Sequence, residues 1–293
     1  MAAPALALET QLKLRNILFA TDFSEGAKQA LPYVGSLARA FGAAVHLCHV
    51  DDPVPFSSGV AAPKIYEAQG RVTAEHLTEL LNAPSLKGLD LKVTLGQGGV
   101  GDEVGRLVRD KDIDLIIAGT HGRTGLKHLM LGSVVEEICR TATCPVLTVG
   151  PGTSFRKDVP FSRILFPTNL TDSSDKILPY VILLASEFGA QVTALHIIPR
   201  DDAEIVTAQD HQLAATIRKA METKLHPLLA FFRPEFLVVV GDPAEAILRT
   251  AAVKNADLIA MGIKNVFAPV MHLRASTAYQ IIAGAHRPVL TLK

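Results

Sequence analysis

Two stretches of the chain read almost alike: Asp114 to Gly119 is DLIIAG, and Asp257 to Gly262 is DLIAMG. The same shift of 143 positions, from 114 to 257, carries Cys144-Pro145-Val146-Leu147-Thr148-Val149 onto Arg287-Pro288-Val289-Leu290-Thr291-Leu292. Nearer the start, Ile17-Leu18-Phe19-Ala20-Thr21-Asp22 matches Ile164-Leu165-Phe166-Pro167-Thr168-Asn169 at a shift of 147, from 17 to 164. His49-Val50 onto His196-Ile197 keeps that shift, so the change of length falls later in the unit. A chain that matches itself along most of its length is two copies of one folding unit, and 293 residues leave room for a core in each. The expected division is residues 1–150 and 151–293, with the Gly-, Pro- and Ser-bearing stretch 150–154 as the joint.

Within each copy, short apolar runs alternate with longer segments of helical spacing. In the first copy the runs are Asn16 to Ala20, Ala44 to Val50, Leu91 to Leu95, Asp114 to Ala118 and Pro145 to Val149. Between the first two, Ala27, Ala30, Leu31, Val34, Leu37, Ala38 and Phe41 recur at intervals of three and four, which predicts one helix from an N-cap at Ser24 to a stop at Gly42. Nearly all-apolar strands separated by helices imply a parallel sheet covered on both faces. The expected fold is α/β: two tandem doubly wound domains, each with a five-stranded parallel sheet flanked by four helices, of the flavodoxin- or Rossmann-like type.

Charge and composition remove several classes of partner. Lys plus Arg and Asp plus Glu are equal at 29 each, so the surplus of cations that nucleic acid or an anionic bilayer requires is missing. No apolar run approaches the roughly 20 residues of a membrane-spanning helix. The first fifteen residues carry no positive charge ahead of their apolar stretch, as a secretory leader would. Three cysteines, Cys48, Cys139 and Cys144, make no disulfide framework, and the last two are not spaced as a C-x-x-C redox pair. Buried thiols and a cytoplasmic address are expected.

In a doubly wound sheet, ligands bind beyond the carboxyl ends of the strands, where strand order reverses. Strand 1 ends at Thr21-Asp22 and strand 4 at Gly119, followed by the segment GTHGRTGLKHLMLGS and an apolar helix, Val134 to Arg140. Glycines allow close backbone approach to an anion, and Gly132-Ser133 opening a helix offers unpaired N–H groups at the positive end of the dipole. That is the physics of a phosphate site, although the same glycines can also serve only to make a tight loop. Asp22, across the crevice, can accept hydrogen bonds from a ribose or base, and Arg123 and Lys127 are the candidates for countercharge.

The pattern Gly119-x2-Gly122-x9-Gly132-Ser133, placed between DLIIAGTHG and CPVLTV, resembles the nucleotide signature of the universal stress protein family, as do TDFSEGAKQAL after strand 1 and LCHV in strand 2. The resemblance runs over nearly the whole chain, twice. It implies an ATP-binding regulatory, stress-response protein, with Asp22 and Val50 at the nucleoside. It further implies that Gly119, Gly122, Gly132, Ser133 and the adjoining Val134 lie at ribose and phosphates, beside Arg123. A Mg ion can accompany the phosphates, since their oxygens and water supply most of its ligands. Family members pair the edges of their final strands, implying a pseudo-dimer of the two domains, with a homodimer of the whole chain left open.

The second copy departs from this pattern. Asn169 stands for Asp22, Asn265 for Gly122 and Ala275 for Gly132, while Gly262 and Ser276 persist. A degenerate second site is expected. Two rivals to ATP-dependent regulation follow: a slow ATP hydrolase, or an interaction or small-molecule-binding protein working through the second domain, whose loop carries Phe267, Pro269, Val270 and Met271. Gly96-Gln-Gly98-Gly-Val-Gly101 matches G-x-G-x-x-G but follows strand 3, and its counterpart keeps only Gly241, so a strand-to-helix turn is the better reading. His49 recurs as His196, which favours a structural role or a position lining the crevice.

Overall fold

The computed structural model describes residues 12–51, 62–120, 131–156, 159–200, 207–263 and 276–293, with backbone alone at 62–67 and 69. The first half holds strands β1 (Asn16–Ala20), β2 (Ala44–Asp51), β3 (Leu91–Gln97), β4 (Leu115–Gly119) and β5 (Val146–Val149). Its helices are α1 (Glu25–Lys28), α2 (Leu31–Phe41), α3 (Ala62–Leu81), α4 (Val100–Asp110) and α5 (Ser133–Thr141). The second half repeats the series as β6 (Arg163–Pro167), α6 (Asp172–Phe188), β7 (Gln191–Pro199), α7 (Ala208–Leu229), β8 (Glu235–Gly241), α8 (Pro243–Val253), β9 (Leu258–Gly262), α9 (Thr277–Gly284) and β10 (Val289–Leu292).

All ten strands form one sheet in the order β3-β2-β1-β4-β5-β10-β9-β6-β7-β8. Each half is parallel with the order 3-2-1-4-5, so strand 1 lies beside strand 4 as in a Rossmann half rather than beside strand 3 as in flavodoxin. The halves join by antiparallel pairing of β5 and β10, with Leu147 opposite Leu290, and Thr148 Oγ1 donates to the Val289 carbonyl at 3.1 Å. This pairing removes two strand edges that would otherwise template aggregation.

Side-chain alternation sorts the apolar residues onto two faces. Ile17 and Phe19 of β1 belong to one buried cluster, and Leu18 and Ala20 to the other. Both clusters cross the β5–β10 seam: the first holds Phe161, Phe166 and Leu258, and the second Leu165, Ile259 and Val289. An aromatic chain reinforces the seam. Tyr33 on α2 stacks on Phe161 with centroids 5.9 Å apart, and Phe161 meets Phe188 of α6 edge-on at 5.7 Å.

The predicted first helix begins and ends as expected, with Ser24 accepting from the Ala27 N–H and Gly42 closing at φ 62°, but it is broken at Gln29–Ala30. Pro32 falls in the first turn of the second helix, where its missing N–H costs no helical bond. The counterpart Pro179 lies inside an unbroken α6, so proline is compatible with the break but does not by itself impose it.

Small polar devices recur in both halves and hold the strand ends. Asp114 Oδ2 accepts from the Arg15 and Asn16 N–H groups at 2.7 and 2.9 Å, and Asp257 Oδ2 does the same for Ser162 and Arg163 at 3.0 Å. The first residue of the repeated DLI motif therefore ties strand 4 of each half to the start of strand 1. Gly98 and Gly241, which match in the repeat, sit at φ 106° and 149°, a region disfavoured for side-chain-bearing residues. Each forms the turn from strand 3 into the next helix, in agreement with the strand-to-helix reading of the glycine-rich segment.

Candidate functional site

Ala20 pairs with Cys48 on one side and Ala118 on the other, so the residues that follow these three strands share one rim of the sheet. That rim carries Asp22 after β1, Val50 near the end of β2, and Gly119 at the end of β4. The turn after β1 is built from Thr21 and Asp22. Thr21 Oγ1 accepts from the Phe23 N–H at 3.0 Å, Asp22 Oδ1 accepts from the Ser24 N–H at 3.0 Å, and Phe23 takes φ 61°. Leu170, the counterpart of Phe23, has φ 60° and the same bond to Thr168 Oγ1. Such a conformation in a bulky residue is held only where its surroundings over-determine it. Here the Phe23 ring is packed 4.4 Å from the His49 ring, and His49 Nδ1 donates to the Thr21 carbonyl at 2.8 Å. His196 makes the matching bond to Thr168 at 2.9 Å, so the recurrent histidine fixes the turn that presents Asp22 or Asn169.

Helix α5 completes the rim. Its N-cap is Gly132, which has no side chain to satisfy the first turn, and Ser133 and Val134 are exposed at the helix start. The Gly132 N–H donates to the Thr120 carbonyl at 2.9 Å, which seats the helix N-terminus directly at the end of β4. Ser133 is thus the first residue of the helix. One residue earlier, the Leu131 N–H donates to Tyr279 Oη of the second half at 3.2 Å. Gly122 and Arg123, along with His121, Lys127 and His128, lie outside the described residues.

Gly119 has a structural reason beside any ligand: a Cβ there would lie 2.5 Å from the Gly26 carbonyl oxygen. Gly262 is in the same position against Ser173. The close approach of strand 4 to the helix that follows strand 1 requires glycine in both halves, so its persistence in the second half does not mark a ligand contact.

The rest of the second rim is differently occupied. Asn169 Oδ1 accepts from Thr171 Oγ1 at 2.6 Å and from Ser174 Oγ at 2.9 Å, and Ser276 Oγ caps α9 by accepting from the Tyr279 N–H at 3.2 Å. Ser276 is therefore the N-cap where Ser133 is already helical. Asn265, Phe267, Pro269, Val270, Met271 and Ala275 lie outside the described residues. The described ones surround a cleft of about 500 Å³, bordered by Asn169, Leu195, Met261 and Tyr279 and walled on one side by Leu131 and Arg140 of the first half. Tyr279 stands where the first copy has Glu136, a departure within the repeat that marks the contact between halves.

The cysteines are free, and burial pushes the thiols of Cys48, Cys139 and Cys144 up to about 12, far from thiolate chemistry at neutral pH. Among the described residues no group of His, Cys, Asp and Glu is arranged to hold a metal, and no helix is long and apolar enough to cross a membrane.

Comparison with known proteins agrees with the repeat. The universal stress protein family matches twice, over residues 13–150 and 160–293. The universal stress protein Slr1230 of Synechocystis is 29% identical over 96% of this chain and all of its own length. The universal stress protein MJ0531 of Methanocaldococcus jannaschii is 31% identical over 46% of this chain and 81% of its own. The crystal structure of a universal stress protein from Archaeoglobus fulgidus superposes with a TM-score of 0.69 at 20% identity, covering 96% of this chain and 99% of that one. The chain belongs to the universal stress protein family and carries its unit twice.

Proposed function

We propose that the protein binds one adenine nucleotide, ATP, on the rim of its first half and acts as a nucleotide-dependent regulatory protein. The observation that carries this reading is the seat of α5. Its exposed N-terminus, without a side-chain cap, is pinned by the Gly132–Thr120 bond at the place where β1 and β4 lie side by side. Unpaired N–H groups and the positive end of the helix dipole at a strand-order reversal suit a polyphosphate.

In this reading Gly122, Gly132, Ser133 and Val134 hold phosphates and ribose through backbone and hydroxyl donors. Arg123 neutralises phosphate charge, Asp22 accepts from the nucleoside, Val50 lies against adenine, and Gly119 admits the ligand beside the strand end. A Mg ion would be held by phosphate oxygens and water. Regulation follows from position. Leu131, adjacent to the phosphate seat, is bonded to Tyr279 of the second half, so a ligand that shifts the start of α5 acts on the contact between halves.

The test is a titration of nucleotide-free, full-length protein with Mg-ATP by calorimetry. One site per chain is expected, with affinity reduced at least tenfold in Asp22→Asn through loss of one charge-assisted hydrogen bond. Two equal sites per chain, or Asp22→Asn binding as the wild type does, would contradict the assignment to the first half.

A further inference from the structure

The cleft of the second half lies where the repeat would put a second nucleotide, yet its chemistry is different. Its walls are mostly apolar, with Leu195, Ile197, Ile247, Met261 and Ile282 among them, and its volume of about 500 Å³ falls in the range of small-molecule sites. The two polar groups that would correspond to nucleotide contacts, Asn169 Oδ1 and Ser276 Oγ, already serve their own turn and helix.

Two cations also line this cleft, Arg140 from α5 of the first half and Lys293 following β10. Neither is a product of the repeat, since the copies have Ala283 and Gly150 at the matching positions. Among the described residues no Asp or Glu lines the cleft, and neither cation is ion-paired. Lys293 is partly buried, and this burial, with the nearby Arg140 charge acting in the same direction, holds its ammonium below the usual value. Two neighbouring cations with no acid beside them among the described residues, next to an apolar wall, form a site that an anion relieves and that an apolar body fills.

We propose that this cleft binds a small molecule made of an apolar body and a single anionic group, the body resting among Ile247, Ala278 and Ile282 and the anion held by Arg140 and Lys293. Because Arg140 belongs to one half and Lys293 to the other, the site exists only in the joined chain. It is separate from the nucleotide rim and does not depend on that reading.

The test uses two fluorescent probes with nearly the same body on the full-length protein: 1-anilinonaphthalene-8-sulfonate, which is anionic, and N-phenyl-1-naphthylamine, which is neutral. The expected result is saturable binding of the sulfonate at one site per chain, weakened about tenfold in the double variant Arg140→Gln/Lys293→Gln while the neutral probe is held as before. Ala278→Trp, at a partly exposed helix position, should exclude both probes with the far-UV circular dichroism unchanged. Saturating Mg-ATP should leave the sulfonate titration in place, so loss of nucleotide binding and loss of this site are read separately. Non-saturable binding, equal affinity in the double variant, full binding by Ala278→Trp, or displacement by ATP would each overturn the proposal.

Discussion

Asp22 and Asn169 occupy the same turn in the two copies and both accept backbone N–H groups from the residue two positions on, at 3.0 and 3.3 Å. Asparagine can therefore make the turn, and what the second copy lacks at this position is the charge. Asp22→Asn should leave the midpoint of thermal unfolding nearly unchanged while weakening ATP, a separation that a combined melting and binding experiment detects. Gly119→Ala is expected to act the other way. A methyl facing the Gly26 carbonyl forces the first helix off the strand, and overpacking of this kind costs about 1–3 kcal/mol in urea unfolding. His46 supplies a pH dependence. It is buried against Asn16 Oδ1 at 3.2 Å, and burial, followed by the charges of Lys92 and Lys111, lowers its affinity for a proton below the ordinary 6.5. The unfolded chain takes up that proton first, so stability falls as pH drops below 6.5 toward the folded value, and His46→Gln should flatten this slope in melts between pH 7 and 5.

Among the elements, strands and most helices were legible because parallel strands buried on both faces read as unbroken apolar runs and the helices carry a three-to-four spacing. The break at Gln29–Ala30 was not, because the residues on either side keep the same apolar period through Pro32. The left-handed turn residues Phe23 and Leu170 were also hidden, since nothing in a bulky apolar side chain announces a positive φ that a threonine hydroxyl and a histidine hold in place. At the site, the sequence located the rim but could not separate glycines needed by packing from those open to a ligand. Gly119 turns out to be required by Gly26, whereas Gly132 is an uncapped helix start with extended N-cap geometry. Thr120 and Tyr279 became visible only once the strands were aligned. Tyr279→Phe removes the acceptor for the buried Leu131 N–H and should cost about 1–3 kcal/mol, read from the urea midpoint.

The strands of the described residues form a single ten-stranded sheet, and the two halves differ across the β5–β10 seam at their rims. One half offers an uncapped helix terminus and an aspartate on its rim; the other offers an apolar cleft with two cations drawn from both halves. The seam was foreshadowed by the family resemblance, which implies pairing of the final strands, but its consequence for Arg140 and Lys293, which come from different copies, follows only from the fold. A fragment ending at Gly150 exposes the β5 edge, with Val146, Leu147 and Val149 no longer covered, and should pair with itself in sedimentation at twice the fragment mass. The central claim is that one nucleotide sits on the first rim. It is tested most directly by denaturing the full-length protein purified without added nucleotide and quantifying what is released by chromatography and mass spectrometry, with Gly132→Val treated identically. The account predicts adenine nucleotide at about one per chain from the wild type, set by the seat at the start of α5, and none from the variant. Wild-type protein that releases none and takes up none from Mg-ATP, or a variant that retains it, would contradict the account.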